Sequence, residues 1–133
     1  MHRNEALFAN EGFYLAFARG DLNAMDRLWS REQDVLCVHP GWPALTSRSA
    51  IMDSWARILG NGDQPKVAFH AETVLGMAGI MAVVCYEKVG DAVMLASNLF
   101  AAEAGTVRMV AHQAGICGAP PPLPSAKIPR LDA

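Results

Sequence analysis

Charge is scarce in this chain. Of its 133 residues, 11 are basic and 13 acidic, or 18%, against roughly a quarter in ordinary soluble domains. With 52% hydrophobic residues beside so little charge, the composition argues against intrinsic disorder. The net charge of −2 and the pI near 6.0 give no electrostatic footprint for nucleic acid or an anionic membrane, so neither is expected as a partner. Long apolar runs are missing too. The longest uncharged apolar stretch, Thr73–Tyr86, has 14 residues and two glycines, short of the roughly 18 that span a bilayer. Cysteine is sparse: Cys37, Cys85 and Cys117 are odd in number, widely spaced and form no CxxC pair, which excludes a disulfide framework or zinc finger. Buried thiols in a reducing cytoplasm are the expectation. The opening MHRNEALFAN lacks the basic-then-apolar pattern of a secretory signal.

What is present is one domain's worth of chain, with charge and apolar residues segregated. Ten charged residues fall in 1–34 and only four in 67–102. A charged, amphipathic front followed by an apolar back suggests helices laid on a sheet. Ala6–Arg19 carries Ala9, Phe13, Ala16 and Phe17 at helical spacing, and Gly20 supplies a left-handed stop. Asp21 caps a short second helix with Leu22, Met25, Leu28 and Trp29 inward. Val35–Val38 reads as a brief strand ended by His39-Pro40-Gly41. A third helix follows Thr46 or Ser47, buries Ile51, Met52, Trp55, Ile58 and Leu59, and ends at Gly60-Asn61-Gly62. Four strands follow, at Val67–Leu75, Ile80–Val89, Ala92–Ala102 and Thr106–Ala114, with turns at Gly76–Gly79, Gly90-Asp91 and Glu103-Ala104-Gly105. Residues 1–117 thus form a single α+β domain with a curved antiparallel sheet, and 118–133, holding five of the eight prolines, form an extended or disordered tail.

Turn chemistry sets a register. A two-residue loop at Gly90-Asp91 pairs Val89 with Ala92 and Val83 with Asn98. A three-residue loop ending in Gly105 pairs Asn98 with Val110 and Ala96 with His112. One face then shows Met81, Val83, Cys85, Glu87, Met94, Ala96, Asn98, Phe100, Val110, His112 and Ala114. Glu87, Asn98 and His112 gather there on an otherwise apolar surface. The opposite face, with Val84, Tyr86, Val93, Leu95, Leu99, Val107 and Met109, is apolar as well. A symmetric partner covering it makes a homodimer through the sheet the economical arrangement, with the tail as a partial alternative.

Four stretches carry a family resemblance: Phe17-Ala18-Arg19-Gly20-Asp21-Leu22; Asp34-Val35-Leu36-Cys37-Val38-His39-Pro40-Gly41; Ala96-Ser97-Asn98-Leu99-Phe100; and Val107-Arg108-Met109-Val110-Ala111-His112-Gln113. In order and spacing the chain resembles the nuclear-transport-factor-2-like superfamily, in its SnoaL-like or ketosteroid-isomerase-like branch. The resemblance implies a cystatin-like α+β barrel: a cone-shaped sheet wrapped by three helices, with a pocket at the wide end and frequent dimerisation. It also implies where catalytic groups fall. The isomerases' aspartate base maps to His39 before Pro40. Their helix tyrosine maps to Phe13, with Tyr14 one place along and pointing elsewhere. Their protonated aspartate maps to Ser97 or Asn98. None is kept in kind, so steroid isomerisation itself is not expected.

Each candidate carries a plainer alternative. His39, placed where a strand stops, is a base candidate near neutral pH, or a turn histidine bonding its own backbone. Glu87 needs a partner or a proton amid apolar neighbours, or reaches water at a strand end. Asn98 and His112 line a pocket, or satisfy each other within the core. Tyr14, Phe17, Trp42, Trp55 and Phe100 supply pocket walls, with Trp42 alternatively a lid and Trp55 alternatively core. His70-Ala71-Glu72 matches the H-x-E of zinc deaminases without the P-C-x-x-C that must follow. His39, His70, His112 and Glu87 lack metal-ligand spacing. No phosphate loop or nucleophile elbow occurs. The expectation is a small-molecule-binding domain whose ligand is a small apolar or polyketide- or steroid-like molecule. It works without cofactor or metal, as an isomerase, cyclase or dehydratase, or else as a non-catalytic association module.

Overall fold

The computed structural model describes residues 1–60 and 67–123. Three helices, α1 (Arg3–Arg19), α2 (Leu22–Leu28) and α3 (Arg48–Leu59), accompany five strands, β1 (Leu36–Val38), β2 (Ala68–Met77), β3 (Ile80–Val89), β4 (Ala92–Glu103) and β5 (Thr106–Ile116). The strands form one sheet in the order β1-β5-β4-β3-β2. The α+β architecture holds, with one change: β1 runs parallel to β5, and only the other pairings are antiparallel.

Local chemistry explains the helix ends. Gly20 closes α1 with φ +63°, a conformation that costs a side-chain-bearing residue free energy. Asp21 accepts from the Ala24 amide at 3.0 Å to start α2, and Ser47 accepts from Ala50 at 3.1 Å to start α3, each filling one orphan donor of a first turn. In α2, Met25 and the following Trp29 are buried, while Leu22 is turned outward rather than inward. Gly60 ends α3; Asn61 and Gly62, and the tail from residue 124 on, lie outside the described residues. Arg48 ties the two short helices together, donating to the Asp26 carboxylate at 2.6 Å and to the Trp29 carbonyl at 3.0 Å. Glu103 fastens the loop before β1 by accepting from the Ser30 hydroxyl and the Arg31 amide.

The β3–β4 pairing follows the expected register, Val89↔Ala92 through Val83↔Asn98. The last hairpin does not. Its loop has two residues, Ala104-Gly105, both at positive φ (50° and 78°), so Glu103 faces Thr106 and Phe100 faces Met109. A bulge at Val110 then advances the register, and Asn98 faces His112. Near the turn Val107 and Met109 therefore face the helices rather than the outer side, Met109 with no exposed surface. Beyond the bulge the net slip from the expected register is two residues. Because side chains alternate with period two, His112 and Ala114 keep the expected face. A second bulge sets Ala71 and Glu72 against Cys85, and the β2–β3 turn is Ala78-Gly79, with β2 running to Met77 instead of stopping at Leu75.

The core fills the space between sheet and helices: Phe13, Tyr14, Met25, Trp29, Ile51, Trp55, Phe69, Val83, Phe100 and Met109 are buried. Aromatic edges interlock, with Phe13 against Trp55 at 5.5 Å and Tyr14 stacked on Phe69 at 4.5 Å. Among the described residues no helix is long and apolar enough to cross a membrane.

Candidate functional site

Where β3 and β4 approach their shared turn, the C-terminal part of α1, the loop after β1 and the end of α3 leave a cavity of about 220 Å³. Its walls are Phe17, Pro40, Trp42, Ile58, Val67, Val89 and Met94, and three ionisable side chains open onto it: His39, Glu87 and His112. Of the anticipated site residues, His39, Glu87, His112, Phe17 and Trp42 therefore meet on one surface.

Each ionisable group is held from behind. Ser54 donates its hydroxyl hydrogen to the Ile51 carbonyl at 2.6 Å, so at 2.9 Å it accepts from Nε2–H of His39. His39 then carries its lone pair on Nδ1, near the Cys37 thiol at 3.9 Å. On the sheet, Nδ1 of His112 lies 2.6 Å from Oδ1 of Asn98. An amide oxygen only accepts, so Nδ1 bears the hydrogen and Nε2 keeps the lone pair. The Asn98 amide in turn donates to Oδ1 of Asn10 at 2.8 Å and to the Tyr14 hydroxyl at 3.2 Å. Tyr14 donates to Glu87 at 2.6 Å, and Asn10 donates to Glu72 at 3.0 Å. Asn98 is thus the junction of a network joining α1 to the four strands β2 to β5.

This arrangement corrects several expectations. Tyr14 does not point elsewhere, nor does it line the cavity: it is 1% exposed and directed at Glu87. Asn98 stands behind His112 and does not reach the cavity itself. Trp55 is fully buried and edge-on to His39 at 4.8 Å, supporting the wall from inside. Phe100 is buried six residues along β4 from Met94, roughly 20 Å at strand rise, and belongs to the core. Glu87 is buried and bonded rather than reaching water. Ser54 and Asn10 were not anticipated. The signal for both was a single polar residue inside an apolar helix stripe, Ile51-Ser54-Trp55-Ile58 and Ala6-Asn10-Phe13-Phe17.

Burial sets the charge states. It lowers the His39 pKa to about 4 and, with a smaller contribution from nearby His39, that of His112 to about 3. Both rings are neutral at pH 7. Burial raises the Glu87 carboxyl above its usual value, opposed in part by the Tyr14 hydrogen bond, and lifts the Tyr14 hydroxyl well above 10. Cys37 and Cys85 are pushed up to about 12 by the same loss of water, so neither is a thiolate nucleophile. At the mouth, the Arg57 guanidinium lies 5.3 Å from the Trp42 ring centre, and Trp42 meets His39 edge-on at 4.9 Å.

A family model described as SnoaL-like domain matches residues 7–117. Among solved structures, the chain is similar to a candidate dehydratase of the nuclear-transport-factor-2-like family from Streptomyces avermitilis, at 25% identity and TM-score 0.78, over 87% of this chain and 96% of that one. It is also similar to a candidate calcium/calmodulin-dependent protein kinase type II association domain from Thiobacillus denitrificans, at 30% identity and TM-score 0.68, over 82% and 92%. A cystatin-like fold protein from Burkholderia xenovorans shares the fold at 14% identity and TM-score 0.72, over 88% and 92%. Comparison with curated proteins finds no match.

Proposed function

Since the chain belongs to the SnoaL-like domain family, we propose that its cavity binds a compact neutral organic molecule and moves a proton on it without a cofactor, as an isomerase, cyclase or dehydratase. The observation that carries this reading is the convergence of His39, Glu87 and His112 on one largely apolar cavity, each fixed by its own buried partner, Ser54, Tyr14 or Asn98. Prealigned groups in a dry site are what proton transfer at carbon needs.

The role of base falls to Glu87 rather than His39. A carboxylate whose pKa is raised by burial is a stronger proton acceptor near neutral pH than an imidazole lowered to about 4. With Nδ1 of His112 held by Asn98, its Nε2 lone pair is left to accept a hydrogen bond from a substrate hydroxyl or N–H. A ligand bearing such donors and no negative charge matches this wall. At about 220 Å³ the cavity lies below the roughly 300–1,000 Å³ of sites for drug-sized ligands, which favours one small ring or a short chain over a tetracyclic skeleton. The Streptomyces relative's name points to the same reaction class.

A thermal-shift screen of neutral hydroxylated metabolites, followed by mass-spectrometric turnover assays, tests the reading. A true ligand raises the Tm of the native chain, loses that effect when Met94→Trp fills the cavity, and is no longer converted by Glu87→Gln. Hits that bind Met94→Trp equally well, or turnover that survives Glu87→Gln, would sink it. A second reading, an association module, draws on the 30% identity to the Thiobacillus association domain and on the exposed apolar side chains Leu75, Met77 and Leu95 of the outer sheet face. The two readings are compatible, because the cavity and the outer sheet face are separate.

A further inference from the structure

α1 has a second apolar stripe that the core does not use. Phe8, Gly12, Leu15 and Arg19 recur at spacings of four, three and four, and Phe8 is 80% exposed. This stripe forms one wall of two cavities, of about 550 and 370 Å³, closed on the other side by α2 and by the start of β5. The cavities share Gly12, Leu28 and Val107, so they make one continuous groove. It lies by the β4–β5 turn, at the far end of β4 from the Glu87 cavity. The groove is not uniform. Its larger part is walled by Phe8, Ala9, Leu28 and Val107, and its far end by the guanidinium-bearing Arg19, Arg27 and Arg108. Two carboxylates also line the groove, Asp21, which accepts from the Ala24 amide, and Glu5, which accepts from the His2 amide at 2.7 Å, and the Arg108 guanidinium donates to the Arg27 carbonyl.

Gly12 is the second observation. Glycine in a helix interior is destabilising relative to alanine, and here no neighbouring atom lies within 4 Å of where a Cβ would sit. The fold's own packing does not require the missing side chain, yet its absence keeps the groove open where its apolar and basic parts join.

We propose that this groove is a binding site for a monomeric amphiphile, an aliphatic chain of about ten carbons with a carboxylate or phosphate head. The tail lies against Phe8, Leu28 and Val107, and the head meets the arginine end, whose forked donors match a planar or tetrahedral oxyanion. The site is independent of the Glu87 cavity and of any reaction there.

Isothermal titration of the full chain with decanoate tests it, with decanol as the uncharged counterpart. One saturable site is expected. Gly12→Leu blocks the groove, weakening decanoate at least tenfold with no fall in Tm. Arg27→Gln with Arg108→Gln weakens decanoate by about tenfold, one lost charge-assisted contact, and leaves decanol unchanged. Met94→Trp, which fills the other cavity, changes neither. Absence of binding, decanoate affinity untouched by Gly12→Leu, or binding lost only in Met94→Trp would each overturn the proposal. So would loss of a dimer in Gly12→Leu without any decanoate binding, since the occupant would then be a second copy of the chain.

Discussion

Two neutral imidazoles and a reluctant carboxylate, buried together, make stability depend on pH in opposite senses. The unfolded histidines take up protons near pH 6.5, whereas the folded His39 and His112 refuse them down to about 4 and about 3. Across that window the unfolded chain holds more protons, so stability rises with pH and is lost on acidification. The Tm should fall steadily from pH 7 to pH 4, by the equivalent of ~3 kcal/mol for one such histidine. In a calorimetric pH series, His39→Gln, whose amide can still donate to Ser54, should flatten part of that fall; an unchanged slope would remove His39 as its source. Glu87 acts the other way. Its folded carboxyl keeps its proton to higher pH than the unfolded one, so its contribution is present in acid and lost as pH rises through the elevated value. Glu87→Gln, still able to accept from Tyr14, should therefore raise the Tm at pH 8 while stopping turnover. A lowered Tm would mean that the carboxylate is a net stabiliser. At this scale the sequence was informative where alternation governs: Glu87, Asn98 and His112 share a face because strand side chains alternate. Ser54 and Asn10 stayed hidden, since one polar residue on an apolar helix face does not name its partner.

Among the elements, helix limits were legible because caps and stops are local chemistry: Gly20, Asp21 and Ser47 act within a turn of where they stand. Hairpin register was less so. Ala78-Gly79 and Ala104-Gly105 each place an alanine at positive φ, 30° and 50°, where asparagine or glycine is the usual signal. Nothing local announced that a two-residue loop would form, and the bulge at Val110 depends on how β5 packs under the helices. The strain predicts a gain. Ala104→Asn should stabilise the β4–β5 hairpin by about 0.5–1 kcal/mol, and Ala78→Asn the β2–β3 hairpin similarly, because asparagine tolerates the left-handed region. The turns close separate hairpins at one end of the sheet, roughly two strand spacings or about 10 Å apart, so the double variant should show close to the sum. Chemical denaturation checks this; a loss of stability in either would show that its alanine side chain packs usefully.

For the whole molecule, the shortage of charge is concentrated on the sheet, and the structure divides it unequally. The helix-facing side is consumed by the core and the cavity. The outer side leaves Leu75, Met77 and Leu95 exposed, at 48%, 47% and 41%, beside the half-buried Val84, Tyr86, Val93 and Leu99. The four long strands, β2 to β5, at ~4.8 Å spacing and about ten residues each make a face of roughly 19 by 33 Å, or about 600 Å². That is the lower end of what one partner contributes to a standard protein interface, and an exposed apolar patch of this size is unusual on a monomer. We therefore propose a two-fold dimer through this face, in which Leu95, on the central strand β4, is buried against the partner. Placing a charge there leaves an ammonium in an apolar interface, which costs more than a dimer can absorb. Leu95→Lys should convert a dimer at micromolar concentration into a monomer, read by sedimentation velocity. It should keep the cavity's ligand-induced Tm shift, because Leu95 points away from Glu87 and His112. A native chain that sediments as a monomer, or a Leu95→Lys variant that stays dimeric, would refute this interface. Loss of the ligand shift together with the dimer would show instead that the cavity requires the partner for its shape.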